Sequence, residues 1–248
     1  MSAGLEAASM VFAKLRKFGK TLAELGKKAI GVKLRRKLGR KETDPKSVYD
    51  QLSSEDQSLA KLSQAAYGKK GERDAEVAGW TIDRDLSGDN AAVYTRDGAV
   101  SIAYRGTDPT NTSDLKADAY ILTGKQKDSK RFREAEDLYK RARAKYGNST
   151  FKLTGHSLGG AQASHGARKY ADDGTTASVF NPGRGIDFSH MKNRALCAIG
   201  MGNKRKCKAV RTHAIRGDPI SMLDQSNRTE SATSNINSHG LENFLPPA

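Results

Sequence analysis

The six residues GHSLGG at positions 155–160 constrain the fold of this 248-residue chain more than any other feature. They carry the pattern Gly-x-Ser-x-Gly and follow a short strand-like run, TFKLT, at positions 150–154. In this pattern a strand ends, the chain turns sharply and a helix begins, which leaves Ser157 at the tip of the turn. Gly155 and Gly159 are needed because the strand and the helix approach too closely for side chains. The stretch therefore predicts a strand, a tight turn and a helix.

Ser157 is the candidate nucleophile of a serine hydrolase. A serine hydroxyl is a weak nucleophile at neutral pH and requires a neighbouring base. The start of the predicted helix favours a developing oxyanion, and we expect the main-chain amide of Leu158 to face it. Taken alone, the pattern also fits a glycine-rich turn with an incidental serine. The rest of the chain therefore has to supply a base, an acid and a second oxyanion donor.

Strand-like and helix-like segments alternate along the chain. The RDG turn signal at 96–98 separates strands predicted at 91–95 and 99–105. A helix is predicted at 54–67, with Ser54 as its N-cap. Further helices are predicted at 130–146 and 158–171, and further strands at 150–154, 176–180 and 208–215. The alternation predicts an α/β fold with a mostly parallel central sheet and flanking helices.

A second segment, YRGT at positions 104–107, ends the strand predicted at 99–105. The segments YRGT and GHSLGG, in this order, resemble the class 3 lipase family, whose members act on acylglycerols and related esters. The resemblance implies an α/β-hydrolase fold for residues 47–248. It also implies that the amide of Thr107 is the second oxyanion donor, beside that of Leu158. A threonine that only caps a strand end is the alternative for Thr107.

The order of residues along the chain points to an acid and a base. In α/β-hydrolases the serine is followed by an aspartate or glutamate and then by a histidine. Asp218 directly follows the strand predicted at 208–215, and such sites assemble at the carboxyl ends of parallel strands. The Asp-Pro pair at 218–219 also resembles the class 3 lipase pattern. Among the histidines, His239 alone follows Asp218, so these two residues complete the predicted triad with Ser157.

Other acid and base residues remain open. Asp187 follows the strand predicted at 176–180 and is an alternative acid, with His190 or His213 as its base. Asp224 is a further alternative acid. The interval of 21 residues between the preferred acid and base also leaves little room for a final strand and helix.

Residues 108–129 occupy the place where class 3 lipases carry a lid. Few of them are apolar, so the sequence does not predict a hydrophobic lid that senses an interface. The resemblance implies that Asp114 or Asp118 braces the oxyanion loop, and a structural role at the domain edge is the alternative. The weak lid favours phospholipids, lysolipids or small esters over bulk triglyceride.

The positive charge of the chain is concentrated near its start. Of the formal net charge of +15, residues 1–41 contribute +10, through eight lysines and four arginines against two glutamates. Apolar residues recur there at steps of three and four from Val11 to Val32, which is typical of an amphipathic helix. We interpret residues 1–46 as a basic helical or disordered arm and linker, which binds an anionic membrane surface, nucleic acid or a protein partner. A solvated tail is the alternative.

The remaining features predict neither a metal nor a cofactor. Cys197 and Cys207 are expected to be reduced thiols, with a hairpin disulfide as the alternative. No Cys and His residues have metal-ligand spacing. The first residues lack the apolar core of a secretory signal, and no stretch approaches the roughly 20 apolar residues of a membrane span. We therefore expect an intracellular protein, cytoplasmic or peripheral to a membrane.

The leading hypothesis is a lipase- or phospholipase-like serine esterase that hydrolyses carboxylic esters of lipids. The alternative is a lipase-fold structural protein, which loosely resembles virion proteins of large DNA viruses that keep such a domain in the particle. Its basic arm would bind nucleic acid or neighbouring protein chains. A nucleic-acid-binding module is a third hypothesis, which the modest charge of the core and its lack of a recognition helix disfavour.

Overall fold

A computed structural model describes residues 47–107, 129–183, 196–197, 201–216, 218, 228–231 and 239–247. The basic arm and most of the region compared with a lid, 108–128, lie outside these residues, including the two aspartates compared with a brace. Asp187, His190 and Asp224, which are alternative acid and base residues, also lie outside them. All elements described below belong to one unit, residues 46–248.

Within the described residues, eight strands form one sheet, in which spatial order follows chain order. They are β1 (Glu76–Val77), β2 (Trp80–Gly88), β3 (Ala91–Arg96), β4 (Ala99–Tyr104), β5 (Thr150–Ser157), β6 (Thr176–Pro182), β7 (Val210–Ile215) and β8 (Arg228–Ser231). Strands β1 to β4 pair antiparallel, and β4 to β8 pair parallel. The predicted α/β architecture is confirmed. The sheet is parallel in its C-terminal half only, because short turns join β1 to β4 into a meander, whereas parallel neighbours need crossover connections.

The turn between β3 and β4 is the one that the sequence predicts. Asp97 and Gly98 have φ angles of 48° and 75°. Both central residues of a type I′ turn need this left-handed conformation, and Asp-Gly adopts it readily. The turn matches the twist of the two strands, and the pairing of Arg96 with Ala99 closes the hairpin.

Helices cover both faces of the sheet. They are α1 (Val48–Gln51), α2 (Ser54–Ala65), α3 (Lys130–Tyr146), α4 (Leu158–Lys169) and α5 (Lys204–Lys208), with 3-10 turns at Ala171–Asp173 and Leu241–Phe244. We expected Ser54 to cap α2, but the N-cap is Ser53, whose hydroxyl accepts a hydrogen bond from the Asp56 amide at 3.1 Å. In the described part of the chain, no helix is long and apolar enough to cross a membrane.

The sheet buries an apolar layer on each face. Successive side chains of a strand point to opposite faces, so on β3 Val93 belongs to one layer and Tyr94 to the other. The first layer contains Leu138 of α3 and Ala163 of α4, and the second contains Leu62 of α2. Packing on both faces holds the carboxyl ends of the parallel strands in fixed positions along one edge.

Cys197 and Cys207 form a disulfide bond. The expectation of two reduced thiols is therefore wrong. The two Cα atoms lie 6.0 Å apart, a separation that a disulfide spans readily. Cys207 belongs to α5, whose N-cap Asn203 also donates a hydrogen bond to Asp172.

Candidate active site

The turn at Ser157 joins β5 directly to α4. Strand β5 ends at Ser157, and α4 begins at the next residue, Leu158. Ser157 has φ 54° and ψ −125°, a backbone conformation that costs an L-residue on the order of 1–3 kcal/mol. Such strain is characteristic of the strand-to-helix turn that presents a nucleophilic serine at the edge of a sheet.

Glycines allow the close approach of strand and helix at this turn. A Cβ atom on Gly155 would lie 2.4 Å from the carbonyl carbon of Gly159. A Cβ atom on Gly159 would lie 2.1 Å from the carbonyl oxygen of Tyr104, at the end of β4. Each added Cβ atom would overlap backbone atoms, so no side-chain movement could relieve the clash. The start of α4 therefore packs directly on the ends of β4 and β5.

His239 lies within hydrogen-bonding distance of Ser157 on one side of its ring and of Asp218 on the other. Oγ of Ser157 is 3.0 Å from Nε2 of His239. Nδ1 of His239 is 3.1 Å from each carboxylate oxygen of Asp218. An ionised carboxylate only accepts, so Nδ1 carries the proton and Nε2 is left to accept the proton of the serine hydroxyl. The structure thus brings together the three residues of the predicted triad.

The two distant members reach the site from the last parallel strands. Asp218 follows β7, its amide donates to the Ile215 carbonyl at 3.1 Å, and its side chain is fully buried. His239 precedes the 3-10 turn Leu241–Phe244 and keeps about a fifth of its side chain exposed. The interval between Asp218 and His239, which was expected to leave little room for a final strand and helix, contains the four-residue β8 paired with β7.

The predicted oxyanion donors lie on adjacent elements. Leu158 is the first residue of α4 and is fully buried. Thr107 follows the end of β4, where Tyr104 pairs with Gly155. A Cβ atom on the intervening Gly106 would lie 3.0 Å from the carbonyl oxygen of His156, so the loop that carries Thr107 runs against the backbone of the turn.

Arg131 also binds the loop that carries Thr107. This arginine is 1% exposed, and its guanidinium donates to the Arg105 carbonyl at 2.7 Å. Gln162 of α4 in turn donates to the Arg131 carbonyl at 2.7 Å. A buried arginine that binds a main-chain carbonyl restricts the path of the loop between β4 and Thr107.

Comparison with known protein families identifies the family of this chain. A family model described as phospholipase-like, Tle-like phospholipase domain, matches residues 43–243. The chain belongs to the Tle-like phospholipase family. Membership supports an enzyme of the phospholipase or lipase type that hydrolyses lipids, the activity class predicted from the sequence. Comparison with curated proteins finds no match to this sequence.

The chain also contains a second contact between an aspartate and a histidine, and neither of these residues belongs to the predicted triad. His213 lies on β7 with Nε2 3.5 Å from a carboxylate oxygen of Asp56, and it stacks on Phe180. Burial raises the pKa of Asp56, but the adjacent His213 and hydrogen bonds from Ser178 and Ser53 outweigh burial and hold that pKa well below its usual range. His213, an alternative base, therefore packs with Asp56. In the part of the chain that the structure describes, no group of three or more potential ligands could hold a metal ion.

Sequence reasoning missed two residues that contact the His239 segment. His156 directly precedes the predicted nucleophile, and its side chain is 8% exposed and lies between Tyr67 and His239. Asn181, near the end of β6, also contacts His239. The only sequence features that could have indicated these residues are that His156 directly precedes Ser157 and that Asn181 lies near a strand end.

Proposed function

We propose that this chain is a serine hydrolase that cleaves acyl ester bonds of phospholipids. Ser157 is the nucleophile, His239 the general base and Asp218 the acid that orients the base. The observation that carries the proposal is the continuous line of contacts from the serine hydroxyl through the imidazole to a buried carboxylate. The family match over residues 43–243 supports the choice of a phospholipid substrate.

Acylation begins when Ser157 Oγ attacks the ester carbonyl and its proton moves to Nε2 of His239. The imidazolium that forms is stabilised by the carboxylate of Asp218, which faces Nδ1. Negative charge develops on the carbonyl oxygen, and the amides of Leu158 and Thr107 donate hydrogen bonds to it. As the tetrahedral intermediate collapses, His239 returns the proton to the leaving alkoxide, and the lysolipid alcohol departs from the acyl-enzyme.

Deacylation repeats these steps with water. His239 takes a proton from a water molecule, and the hydroxide attacks the acyl carbonyl on Ser157. The same two amides stabilise the second tetrahedral intermediate. The proton then passes from Nε2 to Oγ of Ser157, which releases the fatty acid and restores the enzyme.

We also propose that residues 47–248 have an α/β-hydrolase fold. A sheet with an antiparallel start and a parallel second half, a strained serine between strand and helix, and the chain order Ser, Asp, His all support this fold. The YRGT and GHSLGG segments support a relation to class 3 lipases within the broader phospholipase-like group.

A fluorophosphonate probe tests the nucleophile, because it bonds covalently to an activated serine. We expect the folded chain to be labelled on Ser157, and the Ser157→Ala and His239→Ala variants to remain unlabelled. Ser164→Ala, which removes another serine from α4, is the matched control and should label at the wild-type rate. An unlabelled wild-type chain with a cooperative unfolding transition would contradict the proposal and favour a structural role for the fold.

The substrate class is tested by measuring fatty-acid release from diacyl phospholipid, lysophospholipid and triglyceride under the same conditions. We expect kcat/KM to be highest for one of the two phospholipid classes. Faster turnover of triglyceride would contradict the proposed substrate.

We propose that the basic arm, residues 1–41, brings the enzyme to an anionic membrane surface. Each lysine or arginine near such a surface contributes about 1 kcal/mol, and the family match begins after the arm. The full chain should bind vesicles that contain anionic phospholipid more tightly than a variant lacking residues 1–41. Equal binding of the two forms to vesicles, or a loss of binding confined to duplex DNA, would contradict this role.

A further inference from the structure

The main-chain carbonyl of His239 accepts hydrogen bonds from two side chains that belong to other elements. Nε2 of His156, the residue before the nucleophile, lies 2.7 Å from this oxygen. Nδ2 of Asn181, near the end of β6, lies 3.0 Å from it. The backbone of the predicted base is thus fixed by the strand that carries the predicted nucleophile and by the next strand of the sheet.

The environment of His156 fixes which of its nitrogens carries the proton. A carbonyl oxygen can only accept, so Nε2 donates to His239 and Nδ1 must accept when the ring is neutral. The hydroxyl of Tyr67, 2.8 Å from Nδ1, is the donor. Burial, together with the nearby His239, lowers the pKa of His156 to about 4, so the ring is neutral at pH 7. The Tyr67 hydroxyl therefore donates to His156, and His156 in turn donates to the His239 carbonyl.

Hydrogen bonds also fix the orientation of the Asn181 side chain. Its Oδ1 accepts from the Ile215 amide at 2.8 Å, which turns Nδ2 towards the His239 carbonyl. Asn181 has φ 39°, a left-handed conformation that asparagine tolerates better than most residues. Ile215 also accepts the amide of Asp218 at its carbonyl. Ile215, at the end of β7, therefore forms hydrogen bonds with both the predicted acid Asp218 and Asn181.

We propose that His156 and Asn181 position the imidazole of His239 by binding its main-chain carbonyl from two sides. The inference rests on the proposed function, in which His239 is the base. Asp218 fixes the outer end of the side chain, and the two donors fix the backbone from which the side chain projects. Together they hold Nε2 at 3.0 Å from Ser157 Oγ. Catalysis is sensitive to this placement, since a displacement of 1 Å costs about 100-fold in rate.

Two substitutions of similar size separate positioning from packing. In His156→Gln the side-chain amide reaches the place of Nε2 and still donates to the His239 carbonyl. In His156→Asn the shorter amide reaches only the place of Nδ1, so the contact with Tyr67 is kept and the contact with His239 is lost. We expect His156→Asn to lower kcat about 100-fold with KM unchanged, and His156→Gln to stay within about threefold of wild type.

Asn181→Asp provides a second variant. The aspartate still accepts from the Ile215 amide, but it presents an acceptor to the His239 carbonyl where the asparagine presents a donor. We expect a loss of kcat similar to that of His156→Asn, and a double variant that loses less than the product of the two effects, because both act on one carbonyl. Ser63→Ala is the control, since Ser63 is buried on the same face of the sheet and bonds to Thr154. It should leave kcat unchanged.

Nuclear magnetic resonance of the His239 imidazole nitrogens gives a readout that does not depend on turnover. We expect these resonances to shift or broaden in His156→Asn and Asn181→Asp, and to stay at their wild-type positions in His156→Gln and Ser63→Ala. Unchanged resonances in both donor variants, or equal kcat in His156→Asn and His156→Gln, would overturn the positioning role. A wild-type chain that resists the fluorophosphonate probe while the resonances follow the expected pattern would reject the proposed function and leave the positioning intact.

Discussion

The turn at residues 155–160 and the segment that carries His239 place two members of the triad in different ways. The turn is built from contiguous residues, and its geometry requires glycines at positions where a Cβ atom would lie within 3 Å of backbone atoms. His239 is held by side chains that lie far from it in the sequence, namely His156, Asn181 and Asp218. The position of Ser157 is thus fixed by the sterics of the local backbone, and that of His239 by hydrogen bonds to residues distant in the sequence.

This difference has an energetic consequence. Backbone overlap in a close approach cannot be relieved by rotating a side chain, so the turn should tolerate almost no added volume. Hydrogen bonds in the His239 segment are replaceable one at a time, so a loss there should affect geometry and rate more than global folding. The following variants test whether the two regions respond as differently as this reasoning implies.

The largest effect is expected for Asp218→Asn. The amide is nearly isosteric with the carboxylate but donates to Nδ1, which favours the wrong tautomer of His239 and leaves no acceptor for the serine proton. We expect kcat to fall about 10⁴-fold while the melting temperature changes little. Hydrolysis kinetics and a thermal scan measure the two quantities, and Asp172→Asn, a change in an acid of the 3-10 turn Ala171–Asp173, is the control. A loss of less than tenfold would show that Asp218 does not orient the base.

Gly155→Ala should produce the largest loss of stability. The new methyl group would meet three backbone atoms of Gly159 and Gly160 at 2.4 to 2.8 Å. We expect the free energy of unfolding to fall by about 3 kcal/mol, with activity lost in parallel, and denaturant titration measures it. A variant with wild-type stability would mean that the close approach of β5 and α4 does not require glycine.

The buried His156 should make stability depend on pH. Its pKa is about 4 in the folded chain, below the ordinary value of 6.5. Between these values the unfolded chain binds more protons than the folded chain, so this residue lowers the free energy of unfolding as the pH falls from about 6.5 towards 4, by about 3 kcal/mol. Denaturant titrations at pH 7 and pH 4.5 should show a smaller decrease in His156→Gln than in wild type. Equal decreases would contradict the assignment of a neutral, buried ring.

Gly240→Ala should have the smallest effect. Its Cβ atom would meet the carboxylate of Glu242, an exposed residue whose side chain can rotate away. The backbone at Gly240 has φ −61°, which alanine adopts without strain. We expect less than about 1 kcal/mol of destabilisation and near-wild-type kcat. A loss as large as that of Gly155→Ala would show that the His239 segment is as tightly packed as the turn, and would remove the contrast between them.

Much of the fold was predictable from local patterns. The helix α3 has the predicted bounds, and β3, β4 and α4 lie where apolar periodicity and turn residues placed them. Strand β2 was not predicted, because three consecutive charged residues, Asp83 to Asp85, interrupt the apolar pattern of its sequence WTIDRDLSG. Its buried Asp83 is compensated by Lys145 and Tyr146 of α3, a pairing invisible before the chain is folded.

The disulfide shows the same limit. Ten residues separate Cys197 and Cys207, and this spacing fits free thiols as well as a bridge. Whether they pair depends on how close the fold brings their Cα atoms, which lie 6.0 Å apart. Sequence spacing alone therefore gave the wrong expectation.

The sequence by itself determined the strand, turn and helix around Ser157, because glycines at fixed spacing act through contacts between near neighbours in the chain. It also narrowed the acid and base to Asp218 and His239 through their order along the chain. Only the tertiary structure decided that His239 meets Ser157, and that His156 and Asn181 bind its carbonyl. The physical reason is that these contacts join the ends of β5, β6 and β7, and residues so far apart in sequence become neighbours only when the sheet assembles.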